Sequence, residues 1–556
     1  MPSKTVYLET FGCQMNELDS ELVVGSLRAL GYRFVDDAGR ADVVLYNTCS
    51  VRDHAEQKVR SRLGELRLRK AEEPGLVVGV LGCMAERDGA DLIRRMPVVD
   101  VLCGPAELDK LPGLLDNAVR TRDAMLAEPE RRTLPGLTPA GGAIAERSAA
   151  QIALQGGASR RSSTLTAAED RLEFLDLARA VSPDDHDGSA YVRITRGCNK
   201  FCSYCVVPHT RGAEVHRPPD HIVDECKRLA DAGVIEVTLL GQTVNHYRFE
   251  HGAAVTVGGV TQPQKGRSYA GGHRRDPFAG DRVTTFADLL RRIHDEVSSI
   301  RRLRFVTSYP RDFGDDVLEV IREHPRICRY LHVPAQSGSD RVLALMNRGY
   351  TVGEYLEFLD RARAFLDQPE IGRPLTIAGD MIVGFCSETE DDHRASLALL
   401  ERANYKNCFI FKYSPRPGTS AFGRLPDDVP DDVKRRRNNE MLAVQASIML
   451  RLLASHVGQT LSVMVEGRSV HERRRAERSP GTTALTVGGR DPHGGRVAAE
   501  SPAQAQYTGR TDGDLIVHFD APESGTSLTG TIARVRVVGW TAVSLKGEFS
   551  RPDSPR

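Results

Sequence analysis

The feature that most constrains this chain is the run Cys198-Asn199-Lys200-Phe201-Cys202-Ser203-Tyr204-Cys205. Three thiolates at C-x-x-x-C-x-x-C spacing can bind three irons of a 4Fe-4S cube and leave the fourth iron open to a ligand. An incomplete zinc site is the alternative reading, but zinc ligand pairs usually come in two separated halves, and no second half follows here. The surroundings restrict the fold. Short apolar runs at 191–195, 235–240, 303–308, 329–333, 375–383 and 408–413 alternate with helical patterns such as 219–232, 285–298 and 388–403. Six βα units fit an incomplete (β/α)6 barrel, whose functional groups belong at the C-terminal ends of its strands. The cysteine run follows the first of these strands.

A second α/β pattern opens the chain. The runs 4–11, 42–46 and 76–81 are rich in Val and Leu, as strands buried on both faces should be. Between the first two, Leu18, Leu22, Ser26 and Leu30 recur at four-residue steps, an amphipathic helix closed by Gly31. The alternation predicts a parallel sheet. A cysteine follows each strand, in Phe11-Gly12-Cys13, Asn47-Thr48-Cys49 and Leu81-Gly82-Cys83. If the strands are adjacent, all three thiols emerge at the carboxyl edge, where α/β sheets bind ligands. They can then share a second cluster with an open iron. The competing reading is three buried cysteines with no shared role.

Length and composition bound the rest. A chain of 556 residues predicts about three compact units plus linkers. With 40% hydrophobic and 27% charged residues it can bury real cores. The formal net charge of zero argues against nucleic acid wrapped around the whole surface and leaves room for a local basic face. No signal-peptide pattern opens the chain and no apolar run reaches membrane-spanning length, so a cytoplasmic protein without membrane partners is expected. In that compartment thiols stay reduced, which turns the clustered cysteines toward metal.

The expected organisation is an N-terminal parallel α/β domain over 1–136, an inserted flexible linker over 137–185 and the barrel over 186–455. A small β-barrel over 456–550 follows, with strands at 461–466, 514–519, 530–538 and 542–545. Gly-, Ser- and Arg-rich composition marks two further inserted loops, at about 250–282 and 471–504.

The two cysteine triads together resemble the methylthiotransferase family of radical S-adenosylmethionine (SAM) enzymes. The resemblance extends over nearly the whole chain apart from the insertions. It is carried further by Thr10-Phe11-Gly12-Cys13-Gln14-Met15-Asn16, Val206-Val207-Pro208-His209-Thr210-Arg211-Gly212, Leu240-Gly241-Gln242, Gln336-Ser337-Gly338-Ser339, Met346-Asn347-Arg348-Gly349-Tyr350 and Tyr413-Ser414-Pro415-Arg416-Pro417-Gly418-Thr419. His209 stands where the family usually has Tyr, and Cys386-Ser387 where Pro-Gly is commoner. The set is most similar to the branch that acts on N6-dimethylallyladenosine in tRNA. The terminal β-region is similar to the small RNA-binding barrel called TRAM.

The resemblance implies two 4Fe-4S clusters and SAM as cofactors, with tRNA and an electron-donor protein as partners of a monomer. Cys198, Cys202 and Cys205 would hold the cluster that cleaves SAM to a 5′-deoxyadenosyl radical. Cys13, Cys49 and Cys83 would hold the cluster that supplies sulfur to carbon 2 of the adenine. Tyr204 and Gln242 are candidate SAM contacts. Rival readings within the family are threonylcarbamoyladenosine in tRNA, or a ribosomal-protein aspartate, as substrate. A noncatalytic RNA-binding or regulatory protein is the rival from another class.

The remaining cysteines are expected to pack. Cys226 shares an apolar helix face with Ile222, Val223 and Leu229, Cys328 and Cys408 begin barrel strands, and only Cys386 follows a strand on the active side. His209 and His332 are expected to be structural. The run Lys434-Arg435-Arg436-Arg437 reads as a solvated helix face that could meet RNA phosphate.

Overall fold

The computed structural model describes residues 4–50, 53–127, 150–155, 170–181, 187–266, 280, 282–469, 506–520 and 527–550. The loop expected at 471–504 and most of the 137–185 stretch lie outside the described residues.

The N-terminal domain is a six-stranded parallel sheet made of β1 (Thr5–Phe11), β2 (Arg33–Phe34), β3 (Val43–Thr48), β4 (Val77–Gly82), β5 (Val101–Cys103) and β6 (Gln151–Ala153), in the order β2-β1-β3-β4-β5-β6. Every residue of β3 and β4 is buried, as their unbroken apolar sequences require when helices cover both faces. Helix α1 (Gln14–Ala29) buries Leu18 and Leu22, leaves Leu30 exposed as its C-cap and ends at Gly31, whose φ of +88° stops the helix. Helices α2 (Asp53–Glu72), α3 (Cys83–Asp88), α4 (Ala90–Arg95) and α5 (Leu111–Ala127) complete the crossovers.

The stretch expected to be linker contributes two ordered elements. Strand β6 extends the sheet in register with β5, and helix α6 (Arg171–Leu177) is capped by the Asp170 side chain. The reason is long-range charge. From α6, Asp176 receives Arg193 at 2.7 Å and Glu173 receives Arg217 at 2.9 Å, with all four side chains buried.

The central domain contains the six expected parallel strands, β7 (Ser189–Arg193), β8 (Glu236–Leu240), β9 (Arg302–Phe305), β10 (Tyr330–His332), β11 (Thr376–Val383) and β12 (Asn407–Lys412). They form two three-stranded halves joined by a parallel bridge between Leu303 and Ile327. Capping boxes at Thr285, Thr351 and Thr389 start three of the outer helices. Part of the loop expected at 250–282 is also folded. Val257-Gly258-Gly259-Val260 makes a two-residue hairpin with both glycines at positive φ, a signal present in the sequence.

The basic run departs from a solvated face. Lys434 and Arg437, one helical turn apart, are buried; Lys434 reaches Asp427 and Arg437 pairs with Glu388 and Glu390, fastening helix Asp431–Ala454 to the barrel.

The chain's last region is a closed barrel of β13 (Thr460–Arg468), β14 (Gln506–Thr511), β15 (Ile516–Asp520), β16 (Ile532–Trp540) and β17 (Leu545–Ser550). Its β14–β15 turn meets the starting ends of the central strands. Arg302 donates to Arg510 O at 2.7 Å, Arg304 to Asp512 O at 2.8 Å and Thr376 Oγ1 to Gly513 O at 2.7 Å, while Lys406 pairs with Asp514. Among the described residues no helix is long and apolar enough to cross a membrane.

Candidate metal centres

The loop Cys198–Cys205 leaves the first barrel strand through Gly197, at φ +68°. A Cβ there would stand 2.1 Å from Ala213 O, so only glycine fits. Cys198 N donates to Gly212 O at 3.2 Å, and Cys205 N closes a turn on Cys202 O at 3.0 Å. The loop is clamped from outside. Ser203 N donates to Met346 O, Ser203 Oγ to Leu345 O, and Asn347 Nδ2 to Phe201 O, all within 2.9 Å. Arg348 places Nη1 3.4 Å from Cys202 Sγ, with its guanidinium over the rings of Tyr309 and Tyr350 at 4.6 and 5.0 Å. A fixed cation thus faces a thiolate donor. Burial and the neighbouring Cys202 push the Cys205 thiol up to about 12, and burial followed by Glu214 pushes Cys198 up. Metal binding therefore has to expel protons from these thiols.

The second triad stands at the carboxyl edge of the N-terminal sheet. Phe11, Thr48 and Gly82 are register partners across β1, β3 and β4, so Cys13, Cys49 and Cys83 leave the sheet side by side. Two glycines permit the close approach: a Cβ on Gly12 would lie 2.5 Å from Cys49 Cβ, and one on Gly82 2.4 Å from Asn47 Oδ1. Asn16 and Asn47 lock the edge from below through Asn16 Nδ2 to Asn47 Oδ1 at 2.8 Å and Asn47 Nδ2 to Asn16 O at 2.9 Å. Cys13 caps α1. A hydrogen bond from Cys49 draws its pKa down to about 6 against the opposing effect of burial, with help from Arg211 and the Asn16 and Met15 amides.

The triads face one another. Helix Cys83–Asp88 packs on helix Val207–Thr210, which follows the first loop directly, and the Cys83 thiol is close enough to Cys205 to help raise its pKa. Between the domains lies a cavity of about 800 Å³ lined by Ser50 from the sheet edge and by Tyr204, Cys205, Gln336, Asp380 and Tyr413 from the barrel. Lys412, Arg416 and Arg435 line it too. The donor sets suit iron–sulfur clusters: three thiols each, with cationic or amide groups beside them and space in front.

Tyr204 lines this cavity, its ring 6.3 Å from Phe385, whereas Gln242 is half-buried beyond β8 and lines neither this cavity nor the second one described below. Cys226, Cys328 and Cys408 are buried in the places expected of packing residues, and Cys386 packs with Phe385 and Tyr413. The sequence does not reveal Arg211 and Arg348 as neighbours of the thiols, although they lie in the segments 206–212 and 346–350 that carry the resemblance. A motif shows that a side chain is present without showing which way it points.

A family model described as "Radical SAM superfamily" matches residues 192–400, and one described as "Uncharacterized protein family UPF0004" matches residues 5–104. A tRNA-2-methylthio-N(6)-dimethylallyladenosine synthase of Rhodopirellula baltica is 40% identical over 93% of this chain and 90% of its own. The proteins of that name from Syntrophobacter fumaroxidans and Chloroherpeton thalassium are 37% and 38% identical, over 98% and 84% of this chain and 95% and 85% of theirs.

Proposed function

Because this chain belongs to the methylthiotransferase family of radical SAM enzymes, we propose that it adds a methylthio group to carbon 2 of N6-dimethylallyladenosine beside the anticodon of tRNA. Family membership brings a 4Fe-4S cluster and SAM, and the residues fit them. Cys198, Cys202 and Cys205 hold the cluster that binds SAM; Cys13, Cys49 and Cys83 hold a second cluster. Bound there, these groups supply a radical to break an inert C–H bond, and the sulfur and methyl that replace the hydrogen.

The chain's own residues position and shield. Arg348 sets a cation against Cys202. Arg211 does the same for the edge that carries Cys13 and Cys83. Tyr204, Phe411 and Tyr413 give the cavity aromatic walls on which an extruded base can stack, and Lys412, Arg416 and Arg435 suit its phosphates. Gln242 stays the weaker SAM candidate. The enzyme works in the cytoplasm as a monomer and draws electrons from a donor protein.

The observation that supports this reading is the close approach of the two thiol triads, with Cys83 of one near enough to Cys205 of the other to raise its pKa, beside a cavity lined by Cys205 and Ser50. Mass spectrometry of tRNA nucleosides from a deletion strain tests it. The expected result is loss of the 2-methylthio mark with the dimethylallyl group retained, and its return on complementation. Loss from threonylcarbamoyladenosine alone, or from a ribosomal protein alone, would reassign the substrate.

A further inference from the structure

Behind the first cysteine loop lies a second cavity, of about 770 Å³, on the far side of Gly197 and Arg196. Two histidines line it, His216 and His246, and Glu214 joins them. All three are buried, and one ligand atom of each lies within 4.8 Å of the other two. Glu214 and His216 are alternate residues of the strand-like stretch after Gly212, while His246 comes from the turn after β8. The folded part of the 250–282 loop covers them, with Gly266 N donating to Glu214 O at 2.8 Å.

A buried polar network built for packing leaves few of its groups without a partner. Glu214 fits that pattern: Oε1 accepts from Thr243 at 3.0 Å, and Oε2 lies 2.8 Å from His246 Nδ1. His216 does not. It is 2% exposed, and its Nδ1 has no hydrogen-bond partner among the described residues. Leaving a buried polar nitrogen unsatisfied is costly, because the group loses its hydration without a replacement bond.

We propose that Glu214, His216 and His246 form a third metal site, for a single zinc-class divalent cation, with its fourth position open to a water in the 770 Å³ cavity. Two imidazoles and a carboxylate are a ligand set zinc uses when one position stays open. At zinc bond lengths of about 2.0–2.2 Å, tetrahedral ligand atoms stand about 3.4 Å apart, so the site closes by modest side-chain rotation. The cation takes the place of the proton now shared by Glu214 and His246. The site holds no cysteine, which separates it chemically from both thiol triads, and it does not depend on the substrate assigned above.

The test uses the anaerobically reconstituted full-length enzyme, dialysed against Zn²⁺ and then against metal-free buffer, with zinc and iron measured together by mass spectrometry. About one zinc per chain should remain beside the iron, with a zinc-edge absorption spectrum showing only nitrogen and oxygen neighbours at about 2.0–2.2 Å. His216→Ala with His246→Ala should drop zinc at least tenfold at unchanged iron. His246→Gln, which can keep a hydrogen bond to Glu214, should do the same if the double variant does not fold. Wild-type enzyme that retains no zinc, folded variants that retain it all, or sulfur neighbours at about 2.3 Å would each overturn the site.

Discussion

Arg211 of the barrel lies 2.8 Å from Asp19 of helix α1, across the boundary between the two domains that carry the cysteine triads. Asp19 is 1% exposed, and its other oxygen receives Arg193 at 3.1 Å. One carboxylate therefore fixes both the approach of the domains and the cation that stands beside Cys13 and Cys83. Asp19→Asn should leave the buried Arg211 guanidinium without its carboxylate, while Arg193 keeps Asp176, at a cost of about 3–5 kcal/mol. The denaturation midpoint should fall. In folded variant, SAM cleavage should survive better than methylthio transfer, since only transfer needs both triads in register; equal loss of the two would count against that coupling.

Replacing Cys198, Cys202 and Cys205 together with Ala should reduce reconstituted iron from about eight to about four per chain and abolish SAM cleavage. The matching variant of Cys13, Cys49 and Cys83 should lose the same amount of iron, keep reductive SAM cleavage and transfer no methylthio group. Iron analysis and product chromatography read both. Full iron in either triple variant would remove that triad from the proposed ligand sets.

The acid side of the stability curve should report on α6. Burial alone would push the Glu173 carboxyl up, but Arg217, His221 and Arg196 reverse this and hold it at about 2. The folded pKa lies below the ordinary glutamate value of 4.5, so this group's stabilisation is complete above about pH 4.5 and is lost as pH falls toward 2. Its size is about 3 kcal/mol. Glu173→Gln should destabilise the protein at neutral pH and flatten the fall in stability between pH 4.5 and 2, as read by denaturant melts at fixed pH. Parallel curves for the two proteins would contradict the assignment.

The terminal barrel presents Arg534, Arg536 and Lys546 on its outer face, all exposed and without an ion-pair partner among the described residues. Arg510, a fourth cation of the same barrel, is instead engaged by Glu466 at 2.7 Å and Asp514 at 3.0 Å. Replacing the three exposed residues with Ala should weaken tRNA binding at every sequence and reduce the salt slope of log K by about 3, while SAM cleavage without tRNA stays at its wild-type level. An unchanged slope would show that the RNA path lies elsewhere.

What the sequence displays of this molecule follows from how locally each feature is encoded. The strands that carry both triads are short unbroken apolar runs, and each places its cysteine one or two residues past its end, so spacing alone points to a shared edge. Strand β6 and helix α6 sit in a Gly- and Arg-rich stretch with little periodicity of its own. They are ordered by partners far along the chain, Asp100 and Cys103 for the strand and Arg193 and Arg217 for the helix, and no local window contains those. The same holds for Lys434 and Arg437, whose burial depends on carboxylates contributed by other segments. The pairing of Glu214 with His246 joins residues separated by a whole helix.

The contact between the β14–β15 turn and the starting ends of the central strands sets an order of events during synthesis. Arg302, Arg304, Thr376 and Lys406 are made before residues 510–514, which are to receive their hydrogen bonds. In a nascent barrel emerging from the ribosome Arg302 and Arg304 have Glu236 for company but lack their later backbone acceptors, and Lys406 lacks its carboxylate, so water must solvate these groups until residues 510–514 arrive. Its floor is closed from outside, by a segment made after the barrel itself, so a message cut short between the two yields a product that is open at the end opposite its cysteines and correspondingly easier for a protease to enter.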